Sequence, residues 1–295
     1  MTLQPSSTHV PSHGAIRPRR LGLSIAGTTP RHWYDGDPLV TRLLDTLSLT
    51  FPDGEKFFVD SVRHFRDRAK DEAHAADIAG FVAQEMQHSL EHAKWNRHLG
   101  TQDAAVAAVA DEAEALARKL LGGARFRLSH REQLAATAAL EHVTAVLAKS
   151  LLDDATLRAI DPTVKPLWMW HAVEEIEHKS VAFDLHDAVE GTHLQRRVML
   201  VLGTIYLVAF TTHFTRRFLE ADGLLGDKPA LARGLWKLWG WNGLLARAVP
   251  DYVDFFRKEF HPAQHATGAL LERRRAELER LRGDGGAKAF AEDAA

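Results

Sequence analysis

Trp170-His171-Ala172-Val173-Glu174-Glu175-Ile176-Glu177-His178-Lys179 is the stretch on which the fold turns. It contains Glu-x-x-His, from Glu175 to His178, and His171 precedes Glu175 by four residues. Residues three and four apart lie on one helix face, about 5–6 Å from each other. One helix therefore presents two imidazoles and a carboxylate together. The same Glu-x-x-His spacing occurs earlier, at Glu85-Met86-Gln87-His88.

Each motif has an upstream mate. Glu55 lies 30 residues before Glu85, and Glu141 lies 34 before Glu175. The order Glu, Glu-x-x-His, Glu, Glu-x-x-His over four helices is the one used by ferritin-like two-metal carboxylate bundles. It predicts an all-α protein with a ferritin-like four-helix bundle core and additional helices. Glu55, Glu85, His88, Glu141, His171, Glu175 and His178 are the expected metal ligands. Glu85 or Glu141, with Glu175, are the expected bridging and catalytic carboxylates. Oxygen and imidazole donors without a soft ligand suit iron, with manganese as the alternative. A solvated charged face would instead offer basic partners one turn on, and Glu55, Glu85 and Glu141 have none at i+4. Apolar neighbours such as Phe57, Phe58, Phe81, Val143, Trp168 and Trp170 point to burial, and buried carboxylates must be paired or coordinated.

Working outward, Pro and Gly mark the joints of a chain rich in helix formers and poor in strand patterns. The reading places a helix over about 38–48, broken at Phe51-Pro52-Asp53-Gly54, with Asp53 as N-cap of a second helix running to about Lys70. Helices follow over about 72–99 and 104–121, the latter ended by Gly122-Gly123. Ser129 with Glu132 is a capping-box signature opening a helix to about Leu152. The helix carrying the second motif runs from Asp161-Pro162 to about Val189. An apolar helix spans about 194–219, a tryptophan-rich segment (Trp236, Trp239, Trp241) follows, and a short amphipathic helix covers 251–260. Residues 1–34 are expected to be a loosely ordered arm, 35–265 a single two-metal domain, and 266–295 a charged helix with a disordered tail.

Composition sets the outer limits. The chain has 295 residues, 45% hydrophobic, enough to bury a large core. A net charge of −2 gives no basis for nucleic-acid binding. No cysteine is present, which removes disulfides, thiolate zinc sites, iron–sulfur clusters and cysteine nucleophiles. A cytoplasmic location is expected, with membrane association as the alternative. Val198 to Phe214 is apolar but contains Thr204, Thr211, Thr212 and His213, and a span needs about 20 apolar residues. It is read first as a buried helix or pocket wall, then as a peripheral membrane contact, and last as a true span.

Neighbours of the motifs divide by helix face. His92 follows His88 by one turn on the same face and is a candidate ligand or supporting group. Glu174 sits at the edge of the ligand face. Glu91 and Glu177 point away and read as solvated, and His142 reads as structural. Asp184 and Asp187 could orient ligand imidazoles or lie on the surface.

The set Glu55, Glu85 and His88, Glu141, then His171, Glu175 and His178 resembles the di-iron arylamine N-oxygenases, over about 125 residues. Around Phe51-Pro52-Asp53-Gly54-Glu55-Lys56-Phe57-Phe58 and Trp170 to Lys179 the chain is more closely similar to a bacterial family catalogued as predicted metal-dependent hydrolases. The first resemblance implies a di-iron oxygenase that uses dioxygen and an external electron donor or reductase to oxidise a hydrophobic or aromatic small molecule. The second implies a metal-dependent hydrolase with a water activated by two metals. A non-catalytic metal-binding bundle is the third expectation, and a homodimer is a further one.

Overall fold

The computed structural model describes residues 16–22 and 29–292, with side chains as far as 281. Residues 1–15 and 23–28 of the expected N-terminal arm, and the side chains beyond 281, therefore lie outside the described residues. The helices are α1 (Pro38–His64), α2 (Glu72–Leu99), α3 (Ala104–Arg127), α4 (His130–Leu151), α5 (Asp154–Ala159), α6 (Lys165–His178), α7 (Val181–Ala188), α8 (His193–Ala221), α9 (Lys228–Trp239), α10 (Val249–Asp254) and α11 (Gly268–Glu292). Among the described residues there is no strand, and a lone antiparallel bridge joins Tyr34 to Ile160. The protein is all-α.

Helix starts follow side-chain chemistry. Asp37, Asp71 and Asp103 accept from the backbone N–H groups of Val40, His74 and Val106. Ser129–Glu132 and Thr192–Gln195 form reciprocal capping boxes. Each cap satisfies donors that the first helical turn cannot pair internally.

Several boundaries differ from the sequence expectation; α1 ends at His64 rather than near Lys70, and α10 at Asp254 rather than near residue 260. The break at Phe51-Pro52-Asp53-Gly54 does not occur, and α1 runs unbroken through Pro52. Proline has no N–H for the carbonyl four residues back, which here belongs to Ser48. Asn96 of α2 replaces it, donating Nδ2–H to the Ser48 carbonyl at 3.2 Å. A tertiary contact thus compensates the break that local propensity predicts. Similarly, α3 continues through Gly122-Gly123 to Arg127. The long helix expected from Pro162 to Val189 is instead divided at Lys179-Ser180 into α6 and α7.

Helix α1 packs against α2, α3, α4 and α8, and α6 packs against α4, α2 and α11. Two apolar clusters flank the motif helices. One holds Trp33, Trp95, Trp168, Trp170 and Ile176, and the other Phe57, Phe81, Leu134 and Phe183. The expected burial of α8 holds on one side only. Phe210, Phe214 and Phe218 are buried, while Val198, Leu202, Ile205 and Val208 are exposed. Helix α11 is anchored by buried Leu271 and Leu278 and by Arg274, which donates to the Leu152 carbonyl.

Candidate metal centre

α1 supplies Glu55, α2 supplies Glu85 and His88, α4 supplies Glu141, and α6 supplies His171, Glu175 and His178. All seven side chains are buried. Six of them converge in two overlapping groups. Glu85, His88, Glu175 and His178 each offer a donor atom within 4.8 Å of the others, and Glu55, His88 and His171 do the same. Characteristic separations are 3.1 Å from His178 Nε2 to Glu85 Oε1, 3.5 Å from His88 Nδ1 to Glu175 Oε1, and 3.3 Å from His171 Nε2 to Glu175 Oε1.

The buried polar atoms here are largely unsatisfied. Glu55 Oε1 and Oε2, Glu85 Oε2, His88 Nδ1, Glu141 Oε1 and Glu175 Oε2 have no hydrogen-bond partner, while Glu85 Oε1 and His178 Nε2 face each other. A single such group costs about 1–3 kcal/mol, so their concentration at one point is hard to reconcile with a purely structural core. Metal coordination satisfies lone pairs of this kind, and the donor set fits hard or borderline divalent ions.

The outward nitrogen of each histidine is also engaged. His88 Nε2 lies 3.1 Å from Glu174 Oε2, His178 Nδ1 lies 2.8 Å from Glu141 Oε2, and His171 Nδ1 lies 2.9 Å from His92 Nε2. Metal-binding histidines commonly carry such an outer partner, which fixes ring orientation and tautomer. Glu174 is held in turn by the backbone N–H and guanidinium of Arg19.

The His171 tautomer follows from a chain of donors and acceptors. Asn96 Nδ2 donates to the Ser48 carbonyl, so Asn96 Oδ1 accepts from Ser48 Oγ at 2.7 Å. With its proton used, Ser48 Oγ accepts from His92 Nδ1 at 2.8 Å. His92 Nε2 is then the acceptor for His171 Nδ1–H. The His171 Nε2 lone pair is left on the Glu175 side. Burial, followed by the charges of His171 and His88, lowers the His92 pKa well below the usual imidazole value and keeps it neutral. Burial also lowers that of His171, with His88 adding to the effect.

Burial and neighbouring charges compete at every ionisable group of the cage. Burial alone would lower the pKa of His88 and His178, but Glu174 and Glu85 raise that of His88 well above normal, and Glu141 and Glu175 do the same for His178. Glu85 is lowered against its burial by His178 and His88, and Glu175 is lowered against its burial by His178 and His171. Burial and the neighbouring Glu85 charge push Glu55 well up. Burial pushes Glu141 up to about 8 despite His178.

Several expectations change here. Glu141 belongs to neither converging group and stands behind His178 as its outer partner. Glu177 and Glu91 are buried rather than solvated, with Glu177 taken by Arg19, Gln84 and Arg275. Asp184 bonds Lys70 and His261 instead of a cage imidazole, and Asp187 stands by His186. Lys179, one turn after Glu175, donates to the His265 carbonyl and Thr267. Arg19, Gln84, Ser48 and Asn96 carried no signal in the sequence, since their roles depend on distant partners. His92 did carry one, through its i+4 spacing from His88.

A narrow apolar cavity of about 70 Å³ reaches His171 from the side of α1, α4 and α8. Its wall includes Leu43, Leu47, Phe51, Leu147, Trp168 and Leu207.

Comparison with known proteins gives one match. A family model described as predicted metal-dependent hydrolase matches residues 17–266. No curated protein and no solved structure matches.

Proposed function

The chain belongs to the predicted metal-dependent hydrolase family, and from that premise we propose that it is a two-metal hydrolase acting on an apolar small molecule. The observation that carries the metal reading is the group of unsatisfied carboxylate and imidazole atoms shared by α1, α2, α4 and α6. Glu85, His88, Glu175 and His178 would hold one metal, and Glu55 and His171 would complete the second position. When bound, such a metal pair supplies Lewis acidity and lowers the pKa of a coordinated water. The family match reverses the order of the two catalytic readings made from sequence and favours hydrolysis over oxygenation.

The chain's own residues have definable tasks. Glu141, Glu174 and His92 orient the three imidazoles. Glu141 Oε1, buried and without a hydrogen-bond partner, belongs to a carboxyl outside the two converging groups and suits proton transfer. The apolar wall beside His171 excludes bulk water and selects a hydrophobic acyl or aryl group. It carries no lysine or arginine to bind a phosphate.

One observation keeps oxygen chemistry as a second reading. Every donor in the two groups is a glutamate or histidine on a helix, the set used by dioxygen-activating carboxylate bundles. That reading requires iron, dioxygen, an external electron donor and a reductase partner, and it takes the same apolar substrate class.

Isotope labelling distinguishes the two. The purified full-length chain is assayed for bound metal, then supplied with p-nitrophenyl acyl esters in ¹⁸O-water, and separately with arylamines, ferrous ion and reductant under ¹⁸O-labelled dioxygen. Hydrolysis places the label from water in the released acid. Label from dioxygen in the product overturns the hydrolase reading, and a chain that binds no metal under any condition overturns both.

A further inference from the structure

We propose that the face formed by α8, α9 and the segment leading into α10 docks on an anionic lipid bilayer and admits apolar substrate from it to the metal centre.

The exposed side of α8 carries the first observation. Leu194, Val198, Val201, Leu202, Ile205 and Val208 recur at helical spacing and are all exposed. Next to them Thr204 bonds the Tyr252 hydroxyl of α10, and α10 exposes Val249 and Val253. Trp236, Trp239 and Trp241 are exposed as well, Trp241 to 94%. Tryptophan prefers the zone between lipid tails and water, where an apolar ring and a polar N–H are both accommodated. A monomer in water gains nothing from leaving so much apolar surface uncovered.

Charge selects the occupant. From Gly191 to Leu219 and from Lys228 to Pro250 there is no aspartate or glutamate. Of the cations in these segments, Arg196 is buried, and Arg216, Arg217, Lys237 and Arg247 pair with Glu220, Glu112, Asp35 and Asp153. Arg197, Lys228 and Arg233 are exposed. Exposed apolar side chains and tryptophans interspersed with the exposed cations Arg197, Lys228 and Arg233 complement anionic lipid headgroups. A second copy docking through the same face would place cation against cation.

The fold argues for lying on the bilayer rather than crossing it. Helix α8 is long and apolar enough for a span by length and composition, yet Met199, Leu200, Phe210, Phe214 and Phe218 on its other side are buried in the protein. An interfacial helix buries one face only. The cavity that reaches His171 is lined in part by half-buried Leu207 of α8 and Leu245 after α9. These two residues connect it to this face. Substrate delivery rests on the catalytic reading above, whereas docking stands without it.

The test uses full-length protein with vesicles of phosphatidylcholine alone and of phosphatidylcholine with phosphatidylglycerol, the latter also containing brominated lipid. Sedimentation with the phosphatidylglycerol vesicles, reduced by salt, is expected, together with quenching of tryptophan emission. Arg197→Glu with Arg233→Glu should lower vesicle partitioning at least about tenfold. Trp239→Ser with Trp241→Ser should remove most of the quenching, with melting temperature and metal content unchanged in both variants. Failure to bind, or binding indifferent to both variants, overturns the proposal. So does a dimer in solution that the tryptophan variant dissociates, since the occupant is then a second copy. Metal content, read in parallel, shows separately whether the catalytic reading fails.

Discussion

Asn96 Nδ2 donates to the carbonyl of Ser48, which is the carbonyl that Pro52 leaves without its helical partner. This contact keeps α1 continuous and places Glu55 in the cage. The orientation it imposes on the Asn96 amide is passed through Ser48 and His92 to His171. A backbone irregularity on one helix is thus linked to which nitrogen of a histidine on another keeps its lone pair free on the cage side.

Replacing Asn96 by Ala should cost about 1–3 kcal/mol, because it leaves the buried Ser48 carbonyl unpaired. In a Pro52→Ala background the restored N–H can take that carbonyl, and the cost of Asn96→Ala should shrink. A double-mutant cycle by denaturant unfolding measures the coupling. Equal costs in the two backgrounds would show that Asn96 does not compensate the proline.

Removing a carboxylate from the cage should remove metal. Glu85→Ala or Glu175→Ala should lose at least one metal per chain, and His171→Ala should weaken one position while sparing the fold. Metal analysis of the purified variants, with circular dichroism alongside, reads both effects. Two metals retained in Glu175→Ala would sink the ligand assignment.

The groups behind the histidines should behave differently from ligands. Glu174→Gln and Glu141→Gln keep an acceptor for His88 and His178 but remove its charge. Each should lower metal affinity by roughly 10–100-fold while leaving stoichiometry intact at saturating metal. Titration with a competing chelator separates the two quantities. Loss of a whole equivalent in Glu141→Gln would return that residue to the ligand set, as its sequence spacing suggested.

Much of this was legible in the sequence, for a physical reason. Helical spacing is short-range, so Glu85 with His88 and His171 with Glu175 and His178 reveal themselves locally, and so does the cap at Ser129. Relations set by distant partners do not. Nothing around Arg19 announces a buried carboxylate such as Glu174, 155 residues away. Nothing around Pro52 announces Asn96. The same limit explains Glu177, whose helical position suggests solvent until Arg19 and the helix carrying Arg275 are packed over it. The exposed apolar side of α8 escaped because hydropathy measures how apolar a helix is, while the covering of each face depends on tertiary packing.

Proton balance in the cage gives the pH dependence of metal binding. Without metal, His88 and His178 hold protons because Glu174, Glu85, Glu141 and Glu175 surround them. Glu55 is protonated by burial, and Glu141 with a pKa of about 8 is largely so at neutral pH. Metal needs neutral imidazole and ionised carboxylate, so loading must release protons. Affinity should therefore rise with pH through neutrality and level off only above the raised pKa values. The released protons should appear in calorimetric titrations as a binding enthalpy that varies with the ionisation enthalpy of the buffer. In Glu141→Gln the contribution titrating near 8 should vanish. A buffer-independent enthalpy, with affinity flat between pH 6 and 9, would show that metal does not bind to these protonated groups.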